Sequence, residues 1–249
     1  MTFVKSNLTL LFSAVLMIAW LAGCSGTKPQ PMTQSVSSIP SPSASIPSNP
    51  ASTPDNRSVV VAFGDSLTAG YGVSSDQSYP ANLQRDLDAR GYHYRVVNEG
   101  ISGNTSKDGV LRAQAIAALH PKVVIIAFGG NDGLRGLPIL DTERNLATII
   151  STMQDAHAKV ILGGITLPPN YGSEYIAKFN AIYKKQAAAF HVPLLPFMLK
   201  GVYGVPGSMQ NDGIHPTAKG CQQVARNFLP LLLPLLHKPG QLRDSSHSH

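Results

Sequence analysis

The sequence predicts an α/β fold built on a doubly wound parallel sheet. From Val59 onward, short runs rich in β-branched residues alternate with segments of helical periodicity, and strands separated by helices are typical of parallel sheets. The first run, 59–64, is continuously apolar up to its final glycine, as expected of a strand buried on both faces. Motifs rich in Gly, Asp and Asn follow several runs, and such sheets bind ligands beyond the carboxyl ends of their strands.

The predicted elements follow in regular order along the chain. Strands are expected at 59–64, 92–98, 123–128, 160–166 and 192–197, and helices at about 80–89, 109–119, 142–156, 173–190 and 216–236. Leu83 and Leu87 give the first long helix an apolar face, and Gly91 is suited to end it. Pro216 is suited to the first turn of the last helix. Residues 59–236 are therefore predicted to form the globular domain.

Charge and composition exclude several classes of protein. The 249 residues carry a formal net charge of +6, but residues 59–236 hold 15 Lys and Arg against 12 Asp and Glu, so half of the excess lies in the termini. No stripe of Lys and Arg interleaved with aromatic residues occurs, so the sequence indicates no nucleic-acid partner. With 14% charged residues and two cysteines, the chain is neither a charge-rich disordered protein nor a disulfide-stabilised mini-domain.

The amino terminus predicts export and attachment to a membrane. Lys5 precedes an apolar run at 8–22, which at about 15 residues is too short to span a bilayer but suits a signal peptide. The run ends in Leu-Ala-Gly-Cys at Cys24, which resembles the lipobox of bacterial lipoproteins. An ordinary signal peptide that happens to precede a cysteine is the alternative. The resemblance implies a signal peptide at 1–23 and lipidation of Cys24; Ser25, in place of Asp, implies an outer-membrane anchor facing the periplasm of a bacterial cell envelope.

Two further segments are predicted to be disordered. Residues 25–58 hold 10 Ser and 7 Pro among 34 residues and cannot bury enough apolar surface to fold. Together with the lipidated cysteine they form a tether at 24–58. Its reach is roughly 30 Å as a flexible coil and up to about 100 Å as polyproline II. The polar segment 237–249 is expected to be a disordered tail.

A candidate nucleophile and a candidate base occur in two of the motifs. Ser66 stands in Gly-Asp-Ser-Leu directly after the first predicted strand, where a helix N-terminus can favour a developing negative charge. A nucleophilic serine needs a base near neutral pH and a carboxylate that orients this base. Asp212 and His215, in Asp-Gly-Ile-His-Pro, can face the same side of a glycine turn. Taken singly, Gly-Asp-Ser is equally a helix N-cap, and Asp-x-x-His is equally a metal pair or a helix start.

Two other motifs offer donors for an oxyanion. Gly103 lies in Ser-Gly-Asn after the second predicted strand, and Asn131 lies in Gly-Asn-Asp after the third. A glycine N–H can approach a ligand closely because no Cβ intervenes, and an asparagine amide adds a directional donor. Each motif alone is an ordinary loop. All four motifs, the two described here and the two that contain Ser66 and His215, fall at the expected sheet edge. Their joint occurrence makes coincidence improbable and predicts acyl-transfer chemistry.

Together these motifs resemble those of the SGNH (GDSL) hydrolases. Ser66, Gly103, Asn131 and His215 occur in the chain order of that family, and the similarity spans roughly residues 59–236. The resemblance implies a three-layer, flavodoxin-like fold with a five-stranded parallel sheet. It also implies cleavage of carboxylic ester and thioester bonds, as in the bacterial thioesterase, lysophospholipase and arylesterase members of the family.

The resemblance further implies a role for each site residue. Ser66 would be the nucleophile, His215 the general base and then acid, and Asp212 its orienting carboxylate. The N–H groups of Ser66 and Gly103 and the side chain of Asn131 would form the oxyanion hole. The expected substrate-binding residues, on the loop that lines the acyl channel in that family, are Leu167, Pro168 and Tyr171.

The expected partners are small acyl esters and thioesters and, through Cys24, a membrane. We expect a monomer that needs no cofactor and no metal, and Cys221 is expected to be a buried structural thiol. Two other interpretations stay open: a carbohydrate acetyl-esterase that acts on cell-surface polysaccharide, and an inert adhesion or scaffold lipoprotein. A nucleotide-binding module is disfavoured because Gly70-x-Gly72 lacks a third glycine and no phosphate-binding Gly-x-x-x-x-Gly-Lys motif occurs.

Overall fold

The computed structural model describes residues 55–238. The signal peptide, Cys24, nearly all of the tether and residues 239–249 lie outside the described residues, so the predictions for them are not tested by the structure. Within the described part, no helix is long and apolar enough to cross a membrane.

A five-stranded parallel sheet forms the centre of the domain, in the strand order β2-β1-β3-β4-β5. The strands are β1 (Ser58–Gly64), β2 (Tyr94–Gly100), β3 (Val123–Ala127), β4 (Lys159–Gly163) and β5 (Leu194–Leu195). The sheet confirms the predicted α/β class. Because β2 and β3 lie on opposite sides of β1, the winding direction reverses at β1, and a crevice opens at the carboxyl ends of these strands.

Seven α-helices accompany this sheet within residues 55–238. They are α1 (Ser66–Ala69), α2 (Tyr79–Ala89), α3 (Ser106–Ala117), α4 (Gly130–Leu134), α5 (Ile139–Asp155), α6 (Ser173–Ala189) and α7 (Ala218–Leu232). Helix α2 packs against α7, whereas α5 packs against both α3 and α6. The two groups cover the sheet as the outer layers of a three-layer fold. The short helix α4 was not expected from the sequence, which predicted a Gly/Asn loop at this position.

Local sequence explains where the elements begin and end. Helix α3 begins three residues earlier than predicted because Thr105 caps it in a capping box with Asp108. Strand β2 begins two residues later than predicted. Gly91 adopts a positive φ of 73°, and the N–H of Tyr92 donates to Leu87 of α2. Tyr92 therefore belongs to the end of the helix.

The last helix corrects the prediction for Pro216. Helix α7 begins at Ala218 with Thr217 as its N-cap, and Pro216 instead forms an isolated bridge with Met209. Thr217 ends the preceding segment by donating its N–H to Ser208, and its side chain accepts from Gly220 at 3.4 Å. The helix therefore starts where a hydroxyl can satisfy a free N–H group, after the proline. Cys221 on this helix is a buried free thiol, as predicted.

Glycines let α1 lie directly on the ends of the strands. Gly64 pairs with Gly100 and with Ala127, so β1, β2 and β3 end at the same level. A Cβ on Gly100 would collide with the backbone of α1, and a Cβ on Gly64 would collide with the Thr68 side chain. The close contact brings the first residue of α1 to the opening of the crevice.

Candidate active site

Ser66 lies at the turn between β1 and α1. Asp65 is the N-cap of this helix, and its side chain accepts a hydrogen bond from the N–H of Leu67 at 3.1 Å. Because the strand ends at Gly64 and the helix begins at Ser66, the hydroxyl of Ser66 lies at the carboxyl edge of the sheet. Ser66 is partly exposed and lines a cavity there.

The structure brings Ser66, His215 and Asp212 together. The hydroxyl oxygen of Ser66 lies 2.9 Å from Nε2 of His215, and Nδ1 of His215 lies 2.7 Å from Oδ2 of Asp212. These three side chains, from two segments almost 150 residues apart in sequence, thus form a continuous chain of hydrogen bonds. This is the relative arrangement of a nucleophile, a base and an orienting carboxylate.

The Asp212 carboxylate is held in its charged form. Oδ1 accepts the N–H groups of Ile214 at 2.9 Å and His215 at 3.0 Å, in addition to the contact of Oδ2 with the imidazole. Partial burial acts to raise the pKa of Asp212, but the hydrogen bonds from His215 and Ile214 outweigh it and lower this pKa to about 2. Asp212 therefore stays ionised at neutral pH, where it can fix the orientation of the imidazole.

Two residues that sequence reasoning missed support His215. The Gln210 backbone N–H donates to the His215 carbonyl at 2.8 Å, and the Gln210 side chain donates to the carbonyls of Tyr71 at 2.7 Å and Pro216 at 2.9 Å. The Tyr71 ring lies against the imidazole with 4.6 Å between ring centroids. Gln210 thus fastens the histidine loop to the segment after α1. The only signal in the sequence was the proximity of each residue to a motif.

The three predicted oxyanion donors line one cavity. Ser66, Gly103 and Asn131 come from the ends of β1, β2 and β3. No described residue accepts a hydrogen bond from the backbone N–H of Ser66 or Gly103. Asn131 uses Nδ2 to donate to the Asn104 carbonyl at 2.8 Å, and since an amide carries two such hydrogens, one is left over. Each of the three residues thus has one donor hydrogen without a described acceptor, and such a group of donors at one site suits a developing oxyanion.

The cavity next to these donors is mainly apolar. It measures about 410 Å³ and reaches from Ser66 and His215 to side chains that were not among the predicted substrate-binding residues. Those side chains are Leu134, Ile165, Phe197, Leu199, Tyr203 and Ile214. Apolar walls with a few polar groups at one end are typical of a binding site for an apolar ligand with one reactive polar group.

The predicted substrate-binding loop contributes in part. Leu167 and Pro168 line the cavity. Tyr171, which is also predicted to bind substrate, is not among the residues that line the cavity. Its hydroxyl donates to the Leu134 carbonyl at 2.8 Å, and its ring stacks on Tyr175 of α6. Because Leu134 lines the cavity, the hydrogen bond from Tyr171 stabilises this part of the cavity wall.

Two carboxyl groups are buried near the site. Asp132 accepts hydrogen bonds from the backbone N–H of Ser106 at 2.9 Å and from the hydroxyl of Thr142 at 3.2 Å. Burial raises the pKa of Asp65 to about 7. The hydrogen bond from the Leu67 N–H acts to lower this pKa, and the charge of Asp132 acts to raise it further. Asp65 bonds to α1 and not to His215. We therefore assign it to holding the turn that carries Ser66.

The arrangement supplies the parts needed for acyl transfer. Ser66 has a base within hydrogen-bond distance, this base has an orienting carboxylate, and three residues that carry free donors line the neighbouring cavity. Among residues 55–238 no cluster of His, Cys, Asp and Glu is suited to hold a metal ion. Ser66 and His215 supply the groups for nucleophilic attack and proton transfer.

Comparisons with known proteins agree on one family. Residues 62–223 match the sequence pattern of the GDSL-like lipase/acylhydrolase family. The chain is 45% identical over 178 residues to esterase TesA of Pseudomonas aeruginosa, covering 71% of this chain and 89% of that protein. It is 41% identical over 179 residues to thioesterase 1/protease 1/lysophospholipase L1 of Escherichia coli K12, covering 72% of this chain and 85% of that protein. A crystal structure of TesA superimposes with a TM-score of 0.70, covering 72% of this chain and 99% of that one.

Proposed function

The chain belongs to the GDSL-like lipase/acylhydrolase family and is an SGNH-type hydrolase of carboxylic esters and thioesters, and from this premise we propose that Ser66 is its nucleophile. His215 is the general base and acid of the reaction, and Asp212 orients it. The N–H groups of Ser66 and Gly103 and the amide of Asn131 stabilise the oxyanion. The observation that carries this proposal is the hydrogen-bonded chain from Ser66 through His215 to Asp212, next to an apolar cavity.

The acylation half of the reaction follows from this geometry. The Ser66 hydroxyl oxygen attacks the carbonyl carbon while its proton moves to Nε2 of His215, 2.9 Å away. The carbonyl oxygen becomes an oxyanion and accepts hydrogen bonds from the hole. When the tetrahedral intermediate collapses, the bond to the leaving oxygen or sulfur breaks, and the leaving group takes the proton from His215. The acyl group stays on Ser66 as an ester.

Deacylation uses the same groups with water as the nucleophile. His215 accepts a proton from water as the water oxygen attacks the acyl carbon, and the hole again binds the oxyanion. Collapse breaks the bond to the Ser66 oxygen, which recovers its proton from His215. The products are a carboxylic acid and the free enzyme. Asp212 keeps its charge throughout, and it stabilises the imidazolium formed in each half.

The cavity favours an acyl group longer than acetyl. Its apolar lining and volume of about 410 Å³ can bury several methylene groups, each worth about 0.8 kcal/mol. With p-nitrophenol as the constant leaving group, we expect kcat/KM to rise roughly tenfold from acetate to butyrate. The measurement is a series of p-nitrophenyl esters from acetyl to decanoyl, corrected for spontaneous hydrolysis with the Ser66→Ala variant. An optimum at acetyl would instead support the carbohydrate acetyl-esterase. Hydrolysis of acetylated polysaccharide would then test that activity directly.

We also propose that the enzyme is anchored to the bacterial outer membrane through Cys24 and faces the periplasm. The Leu-Ala-Gly-Cys motif after an apolar run supports this location, and so does the Ser/Pro-rich segment that follows it. We expect Cys24→Ser to move the protein from the membrane fraction of the expressing bacterium to the soluble fraction. Cys221→Ala changes the other cysteine and should leave the protein in the membrane fraction. A Cys24→Ser protein that stays membrane-bound without detergent would contradict the anchor. The monomeric state stays a prediction of the sequence.

A further inference from the structure

We propose that Arg135 is a positioning residue for the oxyanion hole. Its hydrogen bond to the Gly103 carbonyl keeps the donors of the hole in their relative positions. This inference rests on the proposed function, because it assigns Gly103 to that hole. Arg135 follows α4 as its C-cap, and its backbone N–H donates to the Asn131 carbonyl at 3.1 Å. One short segment thus carries both the Asn131 donor and the Arg135 guanidinium.

Two hydrogen bonds fasten this segment to the loop after β2. Arg135 donates from Nη2 to the Gly103 carbonyl at 2.8 Å, and Asn131 donates from Nδ2 to the Asn104 carbonyl at 2.8 Å. The two acceptors are consecutive carbonyls of one loop, and the two donors lie one helical turn apart. The loop that presents the Gly103 N–H and the helix that presents the Asn131 amide are therefore fixed relative to each other.

Gly103 lies in a turn closed by the Asn104 N–H, which donates to the Ile101 carbonyl at 3.2 Å, and Arg135 adds a second restraint to this turn. The φ of Gly103 is +84°, it is exposed, and it has no side chain to pack. Among the described residues, apart from its chain neighbours, a Cβ built on Gly103 would have one neighbouring atom within 4 Å, Nη2 of Arg135 at 3.8 Å. Glycine has access to many backbone conformations, and a change of φ or ψ at Gly103 would move its N–H relative to the other donors of the hole. A guanidinium on the adjacent carbonyl opposes this change with a charge-assisted hydrogen bond.

Among the described residues the Arg135 guanidinium forms no salt bridge, although its charge interacts with Asp108 at longer range. No carboxylate of the described residues lies within 4 Å of this guanidinium, so the Gly103 carbonyl is its bonded partner in the described part of the chain. Preorganised donors stabilise a transition state more than a ground state. Loss of Arg135 should therefore lower kcat and leave KM nearly unchanged.

The experiment compares Arg135→Met and Arg135→Lys with wild type on a neutral and an anionic substrate. We expect Arg135→Met to lower kcat about tenfold on both p-nitrophenyl butyrate and butyryl-CoA, with KM within about twofold of wild type. Lysine keeps a charged donor and should restore part of the loss. A phosphonate ester leaves a tetrahedral phosphorus on the nucleophile, with one of its oxygens in the hole. The rate of inactivation by such an ester should therefore fall in parallel with kcat. Arg144→Met removes an exposed arginine of α5 and should change none of these quantities.

Other outcomes overturn the inference. If kcat of Arg135→Met stays within twofold of wild type, Arg135 does not position the hole. If only KM for butyryl-CoA rises, Arg135 binds the anionic leaving group instead. A loss that lysine does not restore at all, or that phosphonate inactivation does not follow, also contradicts positioning through the Gly103 carbonyl. The Ser66→Ala variant distinguishes failure of this inference from failure of the proposed function. If the proposed function is wrong, Ser66→Ala stays active; if only this inference is wrong, Ser66→Ala is inactive.

Discussion

Replacing Ser66 with alanine is expected to lower kcat/KM for p-nitrophenyl butyrate at least about a thousandfold. The substitution removes the oxygen that forms the acyl-enzyme but leaves the Ser66 N–H, Gly103 and Asn131 in place. Water could still attack a bound ester directly, aided by the hole, and this path limits the loss. The side chain is small and partly exposed, so we expect the variant to fold.

Controls for this experiment separate chemistry from folding. Ser74→Ala changes an exposed serine eight positions along the chain, whose hydroxyl donates to Asp76, and its kcat/KM should match wild type. A fluorophosphonate label should attach to wild type and to Ser74→Ala but not to Ser66→Ala. If the label fails to attach to wild type, the inert scaffold protein becomes the better interpretation. Turnover by Ser66→Ala within tenfold of wild type would remove Ser66 from the mechanism.

The second large effect is expected at Asn131. Replacing it with alanine removes the only side-chain donor of the proposed hole and should cost roughly 3 kcal/mol of transition-state stabilisation. This corresponds to a loss in kcat/KM of about a hundredfold, measured with p-nitrophenyl butyrate. Part of the loss will come from the Asn104 carbonyl, which also loses its donor.

A matched variant tests the direction of the Asn131 hydrogen bond. Asn131→Asp keeps the size of the side chain but replaces the donor with a second acceptor. Near an oxyanion its charge is repulsive, so we expect a loss at least as large as that of alanine. An unchanged kcat/KM in Asn131→Ala would exclude Asn131 from the hole. Activity of Asn131→Asp above that of Asn131→Ala would contradict its role as a donor.

The large elements and the site motifs could be predicted because their causes are local. The run at 59–64 is continuously apolar, and such a run is most stable as a strand buried on both faces. Gly-Asp-Ser-Leu, Ser-Gly-Asn and Gly-Asn-Asp follow strands, and parallel strands that pair in register bring their carboxyl ends to one edge. The grouping of Ser66, Gly103 and Asn131 at one cavity was predictable from that rule alone.

What the sequence did not predict depends on contacts between distant segments. Arg135 lies four positions after Asn131, but its hydrogen bond to Gly103 crosses 32 positions. Gln210 reaches Tyr71 across 139 positions. The Tyr171 hydroxyl donates to the Leu134 carbonyl across 37 positions. Hydropathy and spacing do not encode such contacts, since a polar side chain on a loop can point in several directions with similar local energy.

The sequence by itself determined the class of fold, the order of strands and helices along the chain and the residue types available for acyl transfer. It did so because apolar periodicity and glycine placement act within a few residues. Only the tertiary structure decided that the Ser66 hydroxyl lies 2.9 Å from His215, which residues wall the cavity, and which side chains fasten the loops around it. Those features depend on how separate segments pack against one another, and a difference of 1 Å there can change a rate by orders of magnitude.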